Sequence, residues 1–136
     1  MQISLKTFHT RKLTLNTIIS DFVKENSNDF ELSLKVGIAN NSESNKDAII
    51  QFSISLNAEN KFQLDCDYDA IFQTDTILNE ELVKTEKFLH INAPAIAYPY
   101  LRAFISNVLL VSNLDPAILP VINFQKLFEN NIKGIP

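Results

Sequence analysis

Apolar residues recur at every second position through the first two-thirds of the chain and at spacings of three and four in the last third. The first pattern predicts strands and the second helices. Ile3, Leu5, Phe8, Leu13 and Leu15 suggest an opening strand, bulged near Thr7 where the alternation changes phase. Asn16 to Asp29 carries the polar run KENSND and reads as a long connection. Phe30, Leu32, Leu34, Val36 and Ile38 then alternate with Glu31, Ser33, Lys35 and Gly37, as in a strand with one wet face. After the polar turn Asn40 to Asp47, Ile50, Phe52, Ile54 and Leu56 resume the alternation, which predicts an antiparallel hairpin. Asn57 to Lys61 makes a second turn, and Phe62, Leu64, Cys66 and Tyr68 give a fourth strand.

Such a sheet needs a cover on one face. Thr76 to Ile91 has Ile77, Leu78, Leu82 and Leu89 among charged residues, which predicts anything from a turn or two to a full amphipathic helix. Pro94 suits the first turn of the next helix with Asn92 as its cap, and Ile96, Tyr100, Phe104, Val108 and Val111 continue it to Ser112. Pro99 is expected to kink or restart that helix. Asp115 to Val121 holds two prolines and should be extended, and Asn123 can cap a last helix through Phe124, Leu127 and Phe128. The layout is α+β: a four-stranded antiparallel sheet covered by a long helix and a short C-terminal one, in a single domain spanning residues 1–136.

Composition narrows the function. Apolar residues make up 46% of the chain and charged residues 21%, the usage of a folded globular domain. The net charge of −4, with no basic cluster, argues against nucleic acid as a partner. Cys66 is the only cysteine, so no internal disulfide can form and a reducing, cytoplasmic setting is expected. The opening MQISLKTFHTRKL does not read as a signal peptide, and Pro94, Pro99, Arg102, Ser106 and Asn107 interrupt the most apolar stretch, which argues against insertion in a membrane. Gly37 and Gly134 are the only glycines, too few for a phosphate-cradling loop. His9 and His90 are far apart and off metal-ligand spacing. Asp65, Asp67 and Asp69 start like a calcium loop, but Ala70 and Thr76 stand where its glycine and glutamate are needed. No enzyme, cofactor or metal site is therefore expected. Three aspartates on one strand face read as a solvated stripe or as a docking patch for a basic partner, and Cys66 on the opposite face as a buried thiol. Ten Phe and three Tyr are more large apolar groups than one small sheet easily buries, so some should lie in an interface or an exposed groove.

Two motifs carry a resemblance. Tyr98, Pro99, Tyr100 and Arg102 match an F/Y-P-Y-A-R-E helix start, and Pro120, Val121, Asn123, Phe124, Leu127 and Phe128 match a P-V-N-F-x-x-L-F/Y close. In this order and separation the chain resembles the SecB family of protein-export chaperones, with a weaker likeness in the first strand, Phe8 to Leu15. The resemblance implies a sheet with a crossover after its first strand, assembly as a dimer of dimers, and ATP-independent holding of unfolded polypeptides for delivery to the motor SecA. It implies a client groove built from the crossover, the second strand and the C-terminal segment, with Ile18, Phe22, Phe30, Leu32, Leu114, Ile118 and Phe128 as its residues. It implies an oligomer interface at Tyr100, Phe104 and Val108. The chain also departs from the family pattern: Ile122 is inserted in the closing motif, Ala103 replaces the glutamate after the arginine, and the acidic C-terminal tail is missing. Of the acidic positions implied for SecA docking, two fall on Lys12 and Asn16, leaving Asp65. The alternatives are a SecB-like chaperone dedicated to one client, such as an antitoxin, and a non-chaperone adaptor on the same fold.

Overall fold

A computed structural model describes residues 1–18, 29–41, 45–115 and 117–133. Four strands, β1 (Ile3–Thr17), β2 (Glu31–Asn40), β3 (Asp47–Ala58) and β4 (Phe62–Thr74), form one antiparallel sheet in the order β1-β4-β3-β2. The chain thus crosses from one sheet edge to the other after β1, and β2 to β4 follow as a meander. Even-numbered residues of β3 and β4 from Ala48 to Phe72 are buried on one face, as the period of two requires.

The phase slip in β1 is two bulges. The register jumps between Leu5 and Thr7 and again between Thr10 and Lys12, leaving Lys6 and Arg11 as the extra residues. Each bulge restores the apolar face, so Leu5, Phe8, Leu13 and Leu15 stand beside Phe72, Ala70, Cys66 and Leu64. Each also supplies a cation. Lys6 Nζ lies 3.1 Å from Asp47 Oδ2, and Arg11 Nε lies 2.8 Å from Asp69 Oδ2.

Helix α1 (Glu80–Thr85) is only a turn and a half, capped by Asn79, whose Oδ1 accepts from the Leu82 amide at 2.8 Å. A single π-helical turn, Phe88–Asn92, then runs directly into α2 (Ala93–Val111). Asn92 is therefore helical and its side chain makes no cap bond, a correction to the expected boundary. The physical reason is Pro94. Its ring has no N–H and would crowd the carbonyl four residues back, and the wider turn, in which the Ala93 amide reaches Phe88, absorbs that misfit. Nor does Pro99 restart the helix. Ala95 and Pro99 both lie on its exposed side, where water can meet the carbonyl that the ring leaves unpaired.

Ala93, Ala97, Tyr98, Leu101, Ile105 and Leu109 of α2 are buried against the even face of the sheet. Burying each of the three larger aliphatic side chains contributes about 1.5–3 kcal/mol. The run Phe88–Val111 is long and apolar enough to cross a membrane by length and composition alone, but this buried face already accounts for much of its hydropathy. Helix α2 ends in a Schellman turn: Leu114 N–H reaches Leu109 O at 2.9 Å, Asn113 N–H reaches Leu110 O, and Asn113 takes a φ of 61°. An asparagine fills the left-handed position where helices commonly use glycine. The turn folds Leu114 back over the core. Residues 117–123 return as an extended segment to α3 (Phe124–Lys133), where Asn123 Oδ1 accepts from the Lys126 amide as expected.

Candidate functional site

The sheet buries the cover-side face of its inner strands fully and that of its edges only in part. Phe30, Leu32, Leu34, Val36 and Ile38 form a continuous apolar row along the cover-side face of the β2 edge, every one of them half-buried. β2 also ends the sheet, so one side of its backbone has no neighbouring strand among the described residues. An apolar row beside a free strand edge can take an added extended segment, with backbone pairing for affinity and side-chain contacts with loose sequence demands.

The extended segment alternates in the same way. Ala117 and Leu119 point into the core, while Ile118 and Val121 are 82% and 85% exposed. α2 anchors the segment. Tyr98 donates its hydroxyl to Pro120 O at 2.8 Å, Ser106 donates to Ala117 O at 3.4 Å, and Phe124 packs edge-on to Tyr98 and Phe52. Burial pushes the Tyr98 phenol pKa up, and the Arg102 guanidinium pulls against that shift. At 100° per residue, Pro99, Arg102, Ala103 and Ser106 share the flank of α2 that faces this segment. Tyr100, Phe104 and Val108 share the other flank. There Tyr100 meets Phe8 of β1 at 4.9 Å between ring centroids, and Phe104 stacks on Tyr68.

The client-groove residues expected from the sequence fall into three groups. Phe30, Leu32 and Leu114 are half-buried against the main core. Ile18 is exposed at the end of β1, its amide bonded to Lys61 O, and Ile118 is exposed on the extended segment. Phe128 is 7% exposed and lies over the π-turn, its ring 4.6 Å from that of His90. Leu89 of that turn packs with Ala48 and Ile38, so Phe128 sits toward the end of β2 opposite Leu32, six residues or roughly 20 Å along the strand. Phe22 lies outside the described residues. Val121, Ile96, Leu110 and Val111 are further exposed apolar residues, and Val121 breaks the alternation of the segment, which would have turned it inward with Ala117 and Leu119.

The other face of the sheet is polar and balanced in sign. Asp65, Asp67 and Asp69 all point there, but Asp69 is 7% exposed beneath Arg11 and Asp67 accepts a 2.8 Å bond from Ser53 Oγ. Asp65 is half-buried, with Gln63 Nε2 at 3.3 Å, in a hollow that also holds Lys12 and Lys35. Cys66, on the opposite face, is buried, and burial followed by the nearby Asp67 carboxylate pushes its thiol up to about 11.

A four-stranded antiparallel sheet, covered on one face by a long helix and a short one and carrying an apolar edge row and a tethered extended segment, defines an α+β fold. The SecB family, described as "Preprotein translocase subunit SecB", matches residues 1–134. The chain belongs to the SecB family. Protein-export protein SecB of Ruegeria pomeroyi is 25% identical over 109 residues, covering 80% of this chain and 57% of that protein. Uncharacterized protein MJ0357 of Methanocaldococcus jannaschii is 39% identical over 54 residues, covering 40% of this chain and 35% of that protein. The chain thus spans about a third to just over half of the length of these relatives. Among solved structures, the Mycobacterium tuberculosis Rv1957 SecB-like chaperone, in complex with a ChAD peptide from the Rv1956 HigA1 antitoxin, shares the fold with a TM-score of 0.69 at 13% identity. That match covers 88% of this chain and 89% of the other.

Proposed function

We propose that this protein is a chaperone that holds extended segments of unfolded polypeptides without nucleotide, as a soluble cytoplasmic protein. The observation that carries the reading is the half-buried row Phe30 to Ile38 on the edge strand, together with exposed Ile118 and Val121, in a chain of the SecB family. Binding the unfolded state along such a surface keeps a client from collapsing or aggregating, and needs neither a catalytic group nor a cofactor. The family's description as a preprotein translocase subunit supports preproteins for export as the clients. Holding one dedicated client is a second reading, favoured by the antitoxin peptide in the Rv1957 neighbour. Docking to SecA through Asp65 draws less support, because Lys6, Arg11, Lys12 and Lys35 offset the acids of that face.

α2 is apolar on its exposed side as well as its buried one, with Ile96, Tyr100, Leu110 and Val111 in solvent. Apolar side chains left in solvent on a core helix mark a contact surface, which supports oligomerisation through the flank that carries Tyr100, Phe104 and Val108, as in a dimer of dimers. The test combines two measurements on one preparation: mass by light scattering, and aggregation of a chemically unfolded client without ATP. An oligomer that suppresses aggregation is expected, with Tyr100→Asp lowering its mass. A monomer that leaves aggregation unchanged refutes the proposal.

A further inference from the structure

Arg102 is the only charged residue of α2, and Asp115 is the only other charged residue between Ala93 and Gln125. It lines a cleft of about 210 Å³ between α2 and the extended segment, with Pro99, Ala103, Ser106, Ile118 and Leu119 as the other walls. Among the described residues no carboxylate pairs with it. The two ion pairs of the sheet are made by Lys6 and Arg11, and Asp115 stands exposed. Its contact is with an aromatic face: Cζ lies 5.9 Å from the centroid of the Tyr98 ring, and Tyr98 is itself pinned by its bond to Pro120. An arginine over an aromatic face is oriented yet keeps the N–H donors of its planar fork for a partner. Half-buried among apolar walls, those donors bind an anion more strongly than they would in open water.

We infer that this cleft is a carboxylate subsite: it takes an Asp or Glu side chain of an extended polypeptide client, whose apolar neighbours lie against Pro99, Ala103 and Ile118. The volume suits one or two side chains and is too small for a drug-sized ligand. Charge complementarity selects the occupant, since a lone cation in an apolar cleft repels basic segments and leaves neutral ones with no partner for the fork. The inference rests on the polypeptide-holding reading and adds a preference to it: clients are favoured where an acidic residue interrupts an apolar run.

The test is fluorescence anisotropy with labelled apolar peptides that differ only in one central residue, Glu, Gln or Lys. The wild type should bind the Glu peptide about threefold to tenfold more tightly than the Gln peptide at low ionic strength, and the gap should close as salt rises. Arg102→Gln should abolish the gap with little change for the Gln peptide, and Arg102→Glu should shift preference to the Lys peptide. Equal wild-type affinity for the Glu and Gln peptides overturns the subsite and leaves the chaperone reading standing. Failure to bind any of the three overturns both. A fall in the mass of the Arg102→Gln protein assigns the cleft to contacts between copies and overturns the inference as well.

Discussion

Adjacent residues of the extended segment should respond to substitution in opposite ways. Leu119 is 1% exposed and belongs to the main core, whereas Ile118 is 82% exposed. Leu119→Ala removes buried methyl groups and leaves a space that Tyr98 and Phe124, both tied to the segment, can only partly fill. The expected cost is about 2–4 kcal/mol of folding stability, which for a domain of this size lowers Tm by roughly 8–15 °C. Ile118→Ser removes a side chain with less than a fifth of its surface buried, so stability should change by no more than about 0.5 kcal/mol. Client holding should respond the other way round. If an unfolded segment covers Ile118, the loss is about 1.5 kcal/mol or more, roughly tenfold in affinity, while Leu119→Ala at a temperature where it is still folded should bind nearly as wild type. Urea melts with matched m values measure the first half, and anisotropy with a labelled apolar peptide the second. A melt in which Ile118→Ser loses as much stability as Leu119→Ala refutes the in-out alternation of the segment. Unchanged peptide affinity in Ile118→Ser removes the segment from the client surface.

Arg11→Ala strips the cation from nearly buried Asp69, at an expected cost of about 1 kcal/mol, at the low end because Arg11 is half in water; adding Asp69→Asn should recover part of the loss in urea unfolding, and full additivity of the two changes refutes the coupling. His90 donates Nε2–H to Val83 O at 2.6 Å, and its pKa is lowered from 6.5 because burial outweighs that bond. The unfolded chain therefore takes up the proton first, so the stability this residue adds is present above pH 6.5 and is lost as pH falls below it. Melts at neutral and mildly acidic pH should show a steeper loss in the wild type than in His90→Gln, and identical slopes contradict the assignment. Cys66, buried and with its thiol near 11, should resist a disulfide-exchange reagent at pH 8 until the chain unfolds. Rapid labelling in native buffer contradicts that burial.

Much of the fold is legible in one dimension because strand and helix periods are local. Alternation alone located Phe30 to Ile38 and Ile50 to Leu56, and it marked the first bulge as a slip near Thr7, because a buried face leaves each strand only one workable register. The closing helix and its Asn123 cap were legible for the same reason. The motifs around Tyr98 and Pro120 identified the family, whose match extends over residues 1–134. Other features depended on partners distant in the chain. Nothing local distinguishes Lys6 and Arg11 from other basic residues of β1; their roles come from Asp47 and Asp69, which lie 41 and 58 residues away. The continuity through Asn92 was missed because a π-turn is a compromise between Pro94 and the packing of Leu89 in a second small core.

By itself the sequence determined the strand and helix set, the absence of the usual catalytic motifs and the family, since these rest on patterns a few residues long. Only the tertiary structure decided which apolar residues are spare. Exposure depends on what lies across the sheet, so Phe128, expected in a groove, is buried over His90, while Val121 remains in solvent and Ile118 does so beside an arginine with no acid to meet it among the described residues.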